Sequence, residues 1–175
     1  MKHLSEAEKR ARRCCFTGHR PEKLSVQDDV VQKKLGEAID IAISQGFRTF
    51  ICGMARGVDL WAGKEVLLRK QCNPEIKLVC ATPFVGFENN WDIKWRNLYA
   101  VVTSEADYKY AICQTYTRYC FQKRNEWMVL HSGLVIAAYN GAAGGTRNTV
   151  LFAKKYKIPV YNILGELNNK NQIDK

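Results

Sequence analysis

Long apolar runs are missing from this sequence. A helix needs about 20 consecutive apolar residues to cross a bilayer, and no stretch of the 175 residues supplies them, so no membrane partner is expected. The opening run MKHLSEAEKRARR is charged where a secretory signal needs an apolar centre, so a cytoplasmic location is expected. Paired cysteine spacing is missing too. The seven cysteines are odd in number and none forms a C-x-x-C pair, which argues against a disulfide framework and a zinc site. Cys14, Cys15, Cys52 and Cys80 fall in or beside short strand-like runs, where cysteine acts as a small hydrophobe. Histidine is scarce: His3 lies on the opening arm and His131 near a helix end, so no metal is indicated.

What is present points to one folded unit. A content of 46% hydrophobic and 11% aromatic residues is too rich for a disordered chain, and the length suits a single domain with a real core. The formal net charge is +10, from 27 Lys and Arg against 17 Asp and Glu, which invites anionic ligands. Residues 1–13 hold five basic and two acidic side chains and read as a solvated basic arm. The rest of the excess is scattered over helical faces without a long basic block, so it permits anionic ligands and speaks only weakly for nucleic acid.

Taken in order, strands alternate with helices. Cys14–Thr17 reads as a strand that stops at Gly18-His19-Arg20-Pro21, because Pro21 cannot sit in a central strand. Ser25 followed by Asp28 resembles a capping box for a helix carrying Val31, Leu35, Ile39 and Ala42, stopped by Gly46. Thr49–Cys52 is a second strand, and Trp61, Ala62 and Val66 mark the helix after it. Ile76–Ala81 is a third strand, followed by a helix bearing Trp91, Trp95, Leu98 and Val102; the two tryptophans read as core. Tyr108–Ile112 is a fourth strand, and helical spacing runs from Tyr116 to a stop at Gly133. Leu134–Tyr139 is a buried strand, its helix carries Val150, Leu151 and Ala153, and Pro159–Ile163 is the last strand.

This alternation predicts an α/β fold: one Rossmann-like domain over residues 14–164, a mainly parallel sheet with helices on both faces, and a flexible tail over 165–175. In such sheets ligands bind beyond the carboxyl ends of the strands. Glycine- or base-rich turns fall at those ends: Gly18-His19-Arg20, Gly53–Gly57 and Gly141–Thr146. A glycine turn opening a helix lets backbone approach a ligand and offers free N–H groups to an anion. Gly141, Gly144, Gly145 and Thr146 make the strongest such turn, with the Thr146 hydroxyl placed to cap the helix or touch a phosphate. Asp59 follows Gly53, Ala55 and Gly57 and can cap an N–H or accept from a sugar hydroxyl.

The motifs TGHRP, GMARGVDLWA, PF with a downstream Trp, and GAAGGTRNTVLFA resemble the YpsA/YoqJ-like group of the SLOG superfamily, over roughly Cys14 to Ile163. The resemblance implies a Rossmann-like fold, a pocket for a nucleotide or nucleotide-derived, ADP-ribose-like ligand, and a homodimer. Within the same superfamily, LOG phosphoribohydrolases use an Arg and the Glu of a PGGxGTxxE motif to cleave nucleoside monophosphates. Arg124 stands where that Arg falls and Thr146 matches the motif's Thr, but Thr149 stands in place of the Glu and Asn140 in place of the Pro. Departure of a base leaves an oxocarbenium-like ribosyl centre that a carboxylate stabilises and a threonine does not. LOG-type catalysis is therefore not expected. DNA-processing protein A, a single-stranded DNA binder of the superfamily, shares the turn matched by Gly53, Ala55, Gly57 and Asp59 and the pair matched by Arg124-Asn125.

The expected ligand contacts are thus Gly18, His19, Arg20, Gly53, Ala55, Gly57, Asp59, Phe84, Arg124, Asn125, Gly141, Gly144, Gly145 and Thr146. Arg20 and Arg124 bring charge, although a surface ion pair and a solvated helix face are the plain alternatives for them. Phe84, at a strand end after Pro83, lines a pocket or stacks on a base. The leading expectation is binding by a sensor or regulator. Its rivals are a nucleotide N-glycosidase relying on Asp59 or Glu65, and a single-stranded nucleic-acid or protein-interaction module that uses the basic arm.

Overall fold

A computed structural model of the protein describes residues 4–165. Its elements alternate as expected. Short helix α1 (Glu6–Arg10) leads into strand β1 (Arg13–Gly18), and α2 (Asp28–Ser44) leads to β2 (Thr49–Cys52). Then come α3 (Val58–Cys72), β3 (Lys77–Thr82), α4 (Ile93–Ser104) and β4 (Tyr108–Ala111). The chain finishes with α5 (Cys120–Leu130), β5 (Leu134–Ala138), α6 (Gly145–Lys155) and β6 (Val160–Asn162). No helix among the described residues is long and apolar enough to cross a membrane.

All six strands run parallel in the order β4-β3-β2-β1-β5-β6. The chain builds outward from β1 to β4, then returns to β1's other side for β5. The switch in strand order therefore falls between β1 and β5, where an open α/β sheet leaves a crevice at the carboxyl ends. Strand alternation sorts the core into two layers. Cys14, Phe16, Phe50, Cys52, Leu78, Cys80, Leu134 and Ile136 face α2, α3 and α4; Phe16 stacks on Phe50 at 6.1 Å between ring centroids. Their neighbours Cys15, Ile51, Val79, Ala81 and Val135 face the other way, onto Met128 and Val129 of α5 and Ala153 of α6. A sheet covered on both faces needs apolar residues at every position, which is why β5 reads LVIAA and is buried throughout. The seven cysteines are free, and burial pushes the Cys15 and Cys80 thiols up to about 12, so they serve as core fillers.

Some local expectations shift. The Ser25/Asp28 capping box does not form: α2 begins at Asp28 itself, with Gln27 at its N-cap and no side-chain cap, so Asp28 is too early to be a third helical residue. A capping box does form at Ser5 and Glu8, at the start of α1. Residues 6–13 of the basic arm are built onto the domain, since Arg10 Nε donates to Ser132 O at 3.2 Å and Arg13 is the first residue of β1. The three residues before Leu4, and the tail from residue 166 onward, lie outside the described residues. Helical spacing from Tyr116 overshoots, because α5 starts at Cys120 after a turn in which Cys120 N donates to Thr117 O. Trp91 and Trp95 are packed against the main core, as expected.

Gly18 is fixed by packing. A Cβ there would meet Val58 Cβ at 2.5 Å, so the end of β1 and the first residue of α3 touch backbone to side chain. Gly18→Ala is expected to lower stability by about 1–3 kcal/mol through overpacking. Combining it with Val58→Ala is expected to cost less than the sum of the single changes, which a double-mutant cycle by denaturant unfolding checks.

Candidate functional site

The turns after β1, β2 and β5 converge, and named contacts lace them together. His19 N donates to Ala138 O at 3.2 Å, holding the ends of β1 and β5 side by side. Asn140 Nδ2 donates to Lys23 O at 2.9 Å, and the His19 ring lies 5.5 Å from the Tyr139 ring. Gly57, at φ +87, leaves room for Pro21, which a Cβ would meet at 2.6 Å. Arg56 pairs with Glu22 at 3.6 Å across the same seam.

Arg124 is the post on which the β2 turn hangs. Despite its place between Lys123 and Asn125 in α5, it is 5% exposed and does not sit on a solvated face. Its Nη1 donates to Gly53 O and lies 3.7 Å from Asp59 Oδ2, while its Nε donates to Asn125 Oδ1 at 2.8 Å. Asp59, 7% exposed, accepts from Ala55 N at 3.1 Å, so it caps the turn that precedes it. Burial lifts the Asp59 carboxyl above its ordinary range, and the Arg124 guanidinium opposes that lift. Cys52 Sγ donates to Asp59 O at 2.9 Å; its thiol is pushed well up, by burial first and by the Asp59 charge second. Gly53 is glycine because a Cβ would collide with Arg124 Nη1 and with Asp59 Oδ2, the latter at 2.7 Å.

The β5 turn is open where the β2 turn is crowded. Gly141 (φ +91) and Gly144 (φ +139) would present a Cβ to empty space, and Gly145 would meet only Asn125 Nδ2, at 3.9 Å. The backbone angle accounts for Gly141 and Gly144, whereas neither a positive φ nor packing requires Gly145. The first turn of α6 leaves its N–H groups without intrahelical partners, as every helix start does. Thr146 is buried in that turn, and Thr149 Oγ1 donates back to Gly145 O at 2.8 Å. Arg20 is exposed beside this rim and makes no ion pair among the described residues.

Phe84 sits away from these turns, beyond β3, with its ring edge-on to Phe87, Tyr116 and Phe121 at 5.6–6.0 Å. Glu65, the other carboxylate singled out, is taken up by Arg69 on the outer side of α3 and faces α2 at Gly36. Two supports went unread in the sequence. Asn162 of β6 clamps Tyr139, accepting from its N–H at 3.0 Å and donating to its C=O at 2.9 Å. Asn140 folds the turn by accepting from Ala142 N at 3.1 Å, an Asx turn that the Asn-Gly dipeptide signals. The Asn162 clamp has no such local signal, because its partner lies across the sheet.

Comparison with known proteins places the whole domain. The YpsA model, described as the YspA SLOG family, matches residues 14–162. The chain belongs to the YpsA family of SLOG proteins. Among its YpsA-family relatives, the SPbeta prophage-derived protein YoqJ of Bacillus subtilis is 34% identical over 118 residues, 61% of this chain and 69% of that one. A UPF0398 protein of Bacillus cereus is 26% identical over 156 residues, 83% of this chain and 84% of that one. The fold also superposes on DNA processing protein A from Streptococcus pneumoniae, with TM-score 0.63 and 18% identity, over 91% of this chain and 52% of that chain. The corresponding Helicobacter pylori protein, described for its single-stranded DNA binding mode, gives TM-score 0.62 and 16% identity, over 94% of this chain and 70% of that one. This YpsA-family chain thus spans about half the length of the S. pneumoniae protein.

The geometry makes two predictions. Asp59→Ala strands the Arg124 guanidinium in the interior and is expected to cost about 3–5 kcal/mol, read by denaturant unfolding. The second concerns pH. Burial, and then the Lys23 charge, hold the His19 imidazole below its ordinary 6.5. The unfolded chain therefore takes up this proton at a higher pH than the folded one. The stability tied to neutral His19 is complete above the unfolded value and is lost as pH falls below it toward the folded value. His19→Gln is expected to flatten that acid limb in unfolding curves taken between about pH 7.5 and about pH 5.

Proposed function

We propose that this protein binds a small phosphate-bearing ligand of the nucleotide class in the crevice between β1 and β5, as a sensor or regulator. The observation that carries the reading is the Gly144-Gly145 opening of α6. It stands at the switch in strand order, and side chains added there would meet open space. Gly144 is required by its own backbone angle, φ +139, but Gly145 has no such angle and a side chain there would meet only Asn125 Nδ2, so its bare backbone is open to the close approach of another body. A helix start supplies that body with N–H donors and the positive end of the dipole. Gly141, Gly144, Gly145 and Thr146 hold the phosphate, Arg20 adds charge from the rim, and the Gly18–His19 and Gly53–Gly57 turns form the walls. Phe84 and its aromatic neighbours lie further along the strand ends, toward the base.

Binding without turnover is favoured by what the carboxylates do. Asp59 is engaged by Arg124 and Ala55, Glu65 by Arg69, and Thr149 is turned back on its own helix. A glycosidase needs a carboxylate at the reacting carbon, and among these candidates each is held elsewhere. A second reading has support of its own: the H. pylori neighbour is described as binding single-stranded DNA, and the net charge of +10 suits a polyanion.

Thermal unfolding against AMP, ATP, NAD, ADP-ribose and a short DNA single strand tests both. A ligand at about a hundred times its dissociation constant adds about 2.7 kcal/mol, or about 5–10 °C for a chain of this size. The expected result is a rise with one nucleotide-class ligand that disappears in Gly145→Asp, a variant whose carboxylate enters the open cradle. No rise with any small ligand, together with DNA binding that falls steeply with salt, selects the second reading.

A further inference from the structure

Asn125 holds a donor ready at the mouth of α6. An arginine guanidinium has donors only. The 2.8 Å contact from Arg124 Nε therefore fixes the Asn125 carboxamide with its oxygen toward Arg124. The amide nitrogen must then face the other way. It is the one heavy atom near the side chain that Gly145 lacks, 3.9 Å from the Cβ position, and it makes no hydrogen bond among the described residues. Arg124 itself is committed to Gly53 O, to Asp59 and to Asn125 Oδ1. On this geometry its charge stabilises the fold, and its contribution to a ligand passes through Asn125.

A second unpartnered group borders the same turn from the β1 side. His19 is 4% exposed, and its Nε2 has no hydrogen-bond partner among the described residues, the Asn140 side chain being a nearby polar group that acts on the ring. Buried polar groups in native proteins are nearly always paired, because leaving one unpaired costs about 1–3 kcal/mol. The ring lies against Tyr139, whose hydroxyl donates to Gly141 O at 3.1 Å, so His19 is built into the wall of the glycine turn. Its imidazole is held toward the neutral form, in which one ring nitrogen keeps a proton to donate.

We propose that the α6 cradle is completed by two neutral donors, Asn125 Nδ2 from α5 and His19 Nε2 from β1, and that it takes a terminal phosphate. The inference rests on the reading of this turn as a phosphate site, and it names the side chains that select the group. The unprotonated oxygens of a phosphate accept, so N–H donors from the helix start, the carboxamide and the imidazole all find partners. A ligand presenting ammonium or carboxamide hydrogens to the same place meets donor against donor. Arg124 is a positioning residue here, since it orients Asn125 without touching the ligand.

Asn125→Asp is the decisive variant. It keeps the size of the side chain and the acceptor for Arg124 Nε, and it replaces the outward donor with a charged acceptor. Wild type and variant are titrated with inorganic phosphate and with AMP, adenosine serving as the phosphate-free control, and followed by proton–nitrogen NMR. The expected result is joint movement of the Gly144, Gly145 and Thr146 amides, the Asn125 side-chain NH₂ pair and the His19 ring nitrogens. Asn125→Asp is expected to weaken AMP binding by at least about tenfold, as loss of a charge-assisted hydrogen bond implies, while its unfolding curve stays close to wild type. Movement of the backbone amides with the Asn125 and His19 signals still, and unchanged affinity in Asn125→Asp, would overturn the two-donor site and leave the phosphate reading in place. Stillness of all these signals with both probes would overturn the phosphate reading and this inference with it.

Discussion

The buried contact of Arg124 with Asp59 and Gly53 O is the constraint on which the upper rim of the molecule depends. It joins α5, which covers one face of the sheet, to the turn and helix that follow β2 and lie on the other face. Two charges are removed from water at this point, which is costly unless each is fully engaged. Engagement comes from hydrogen bonds as much as from the ion pair. Ala55 N donates to Asp59, and Gly53 O and Asn125 Oδ1 accept from Arg124. Gly53 and Ala55 belong to the turn after β2, Asp59 to the first turn of α3, and Asn125 to α5. The rim is therefore set by an electrostatic knot beneath it.

That knot leaves the three turns with different characters. The β2 turn is filled, with Gly53 pressed on Arg124 and Gly57 on Pro21. The β1 turn is tied to its neighbours through His19 N, Pro21 and Lys23 O. The β5 turn is anchored at its base by the Asn162 clamp on Tyr139, yet Gly141, Gly144 and Gly145 above it face space. A rigid surround with one uncovered stretch of backbone is the arrangement expected of a preformed binding site, since little remains to be ordered when a ligand arrives.

Much of this was legible in the sequence. The sheet's two-sided burial shows as unbroken apolar runs such as Leu134–Ala138, and glycine or proline follows closely on every strand except β4. Local chemistry writes these signals, so a local reading recovers them. Arg124 was picked out by its motif, but its burial was not visible, because the surrounding Gln122, Lys123 and Glu126 give α5 the look of a solvated face. The roles of Gly18 and Gly53 were hidden for a related reason. Each is glycine because of a side chain far along the chain, Val58 close to one and Arg124 close to the other. Asn162 is a three-strand neighbour of nothing in its own segment, and only pairing across β5 and β6 reveals what it holds. The misplaced capping box has the opposite origin: Ser25 and Asp28 have the right spacing, but the segment from Pro21 to Leu24 is spent on a 3₁₀ turn that delays the helix.

Strand order also sets a timetable. Of the six described strands β1 is made first, and it sits near the middle of the sheet, where Cys14 pairs with Phe50 on one side and with Leu134 on the other. The first neighbour arrives early and the second very late. Chains fold from the amino terminus during synthesis, and closing a long loop carries an entropic cost that slows pairing across it. One side of β1 can be covered while its opposite edge still waits for a partner. The crevice between β1 and β5 is made by that late pairing, so it comes into existence only after strands β1 to β4 have been made. A copy stalled before β5 carries four of the six strands and lacks that crevice.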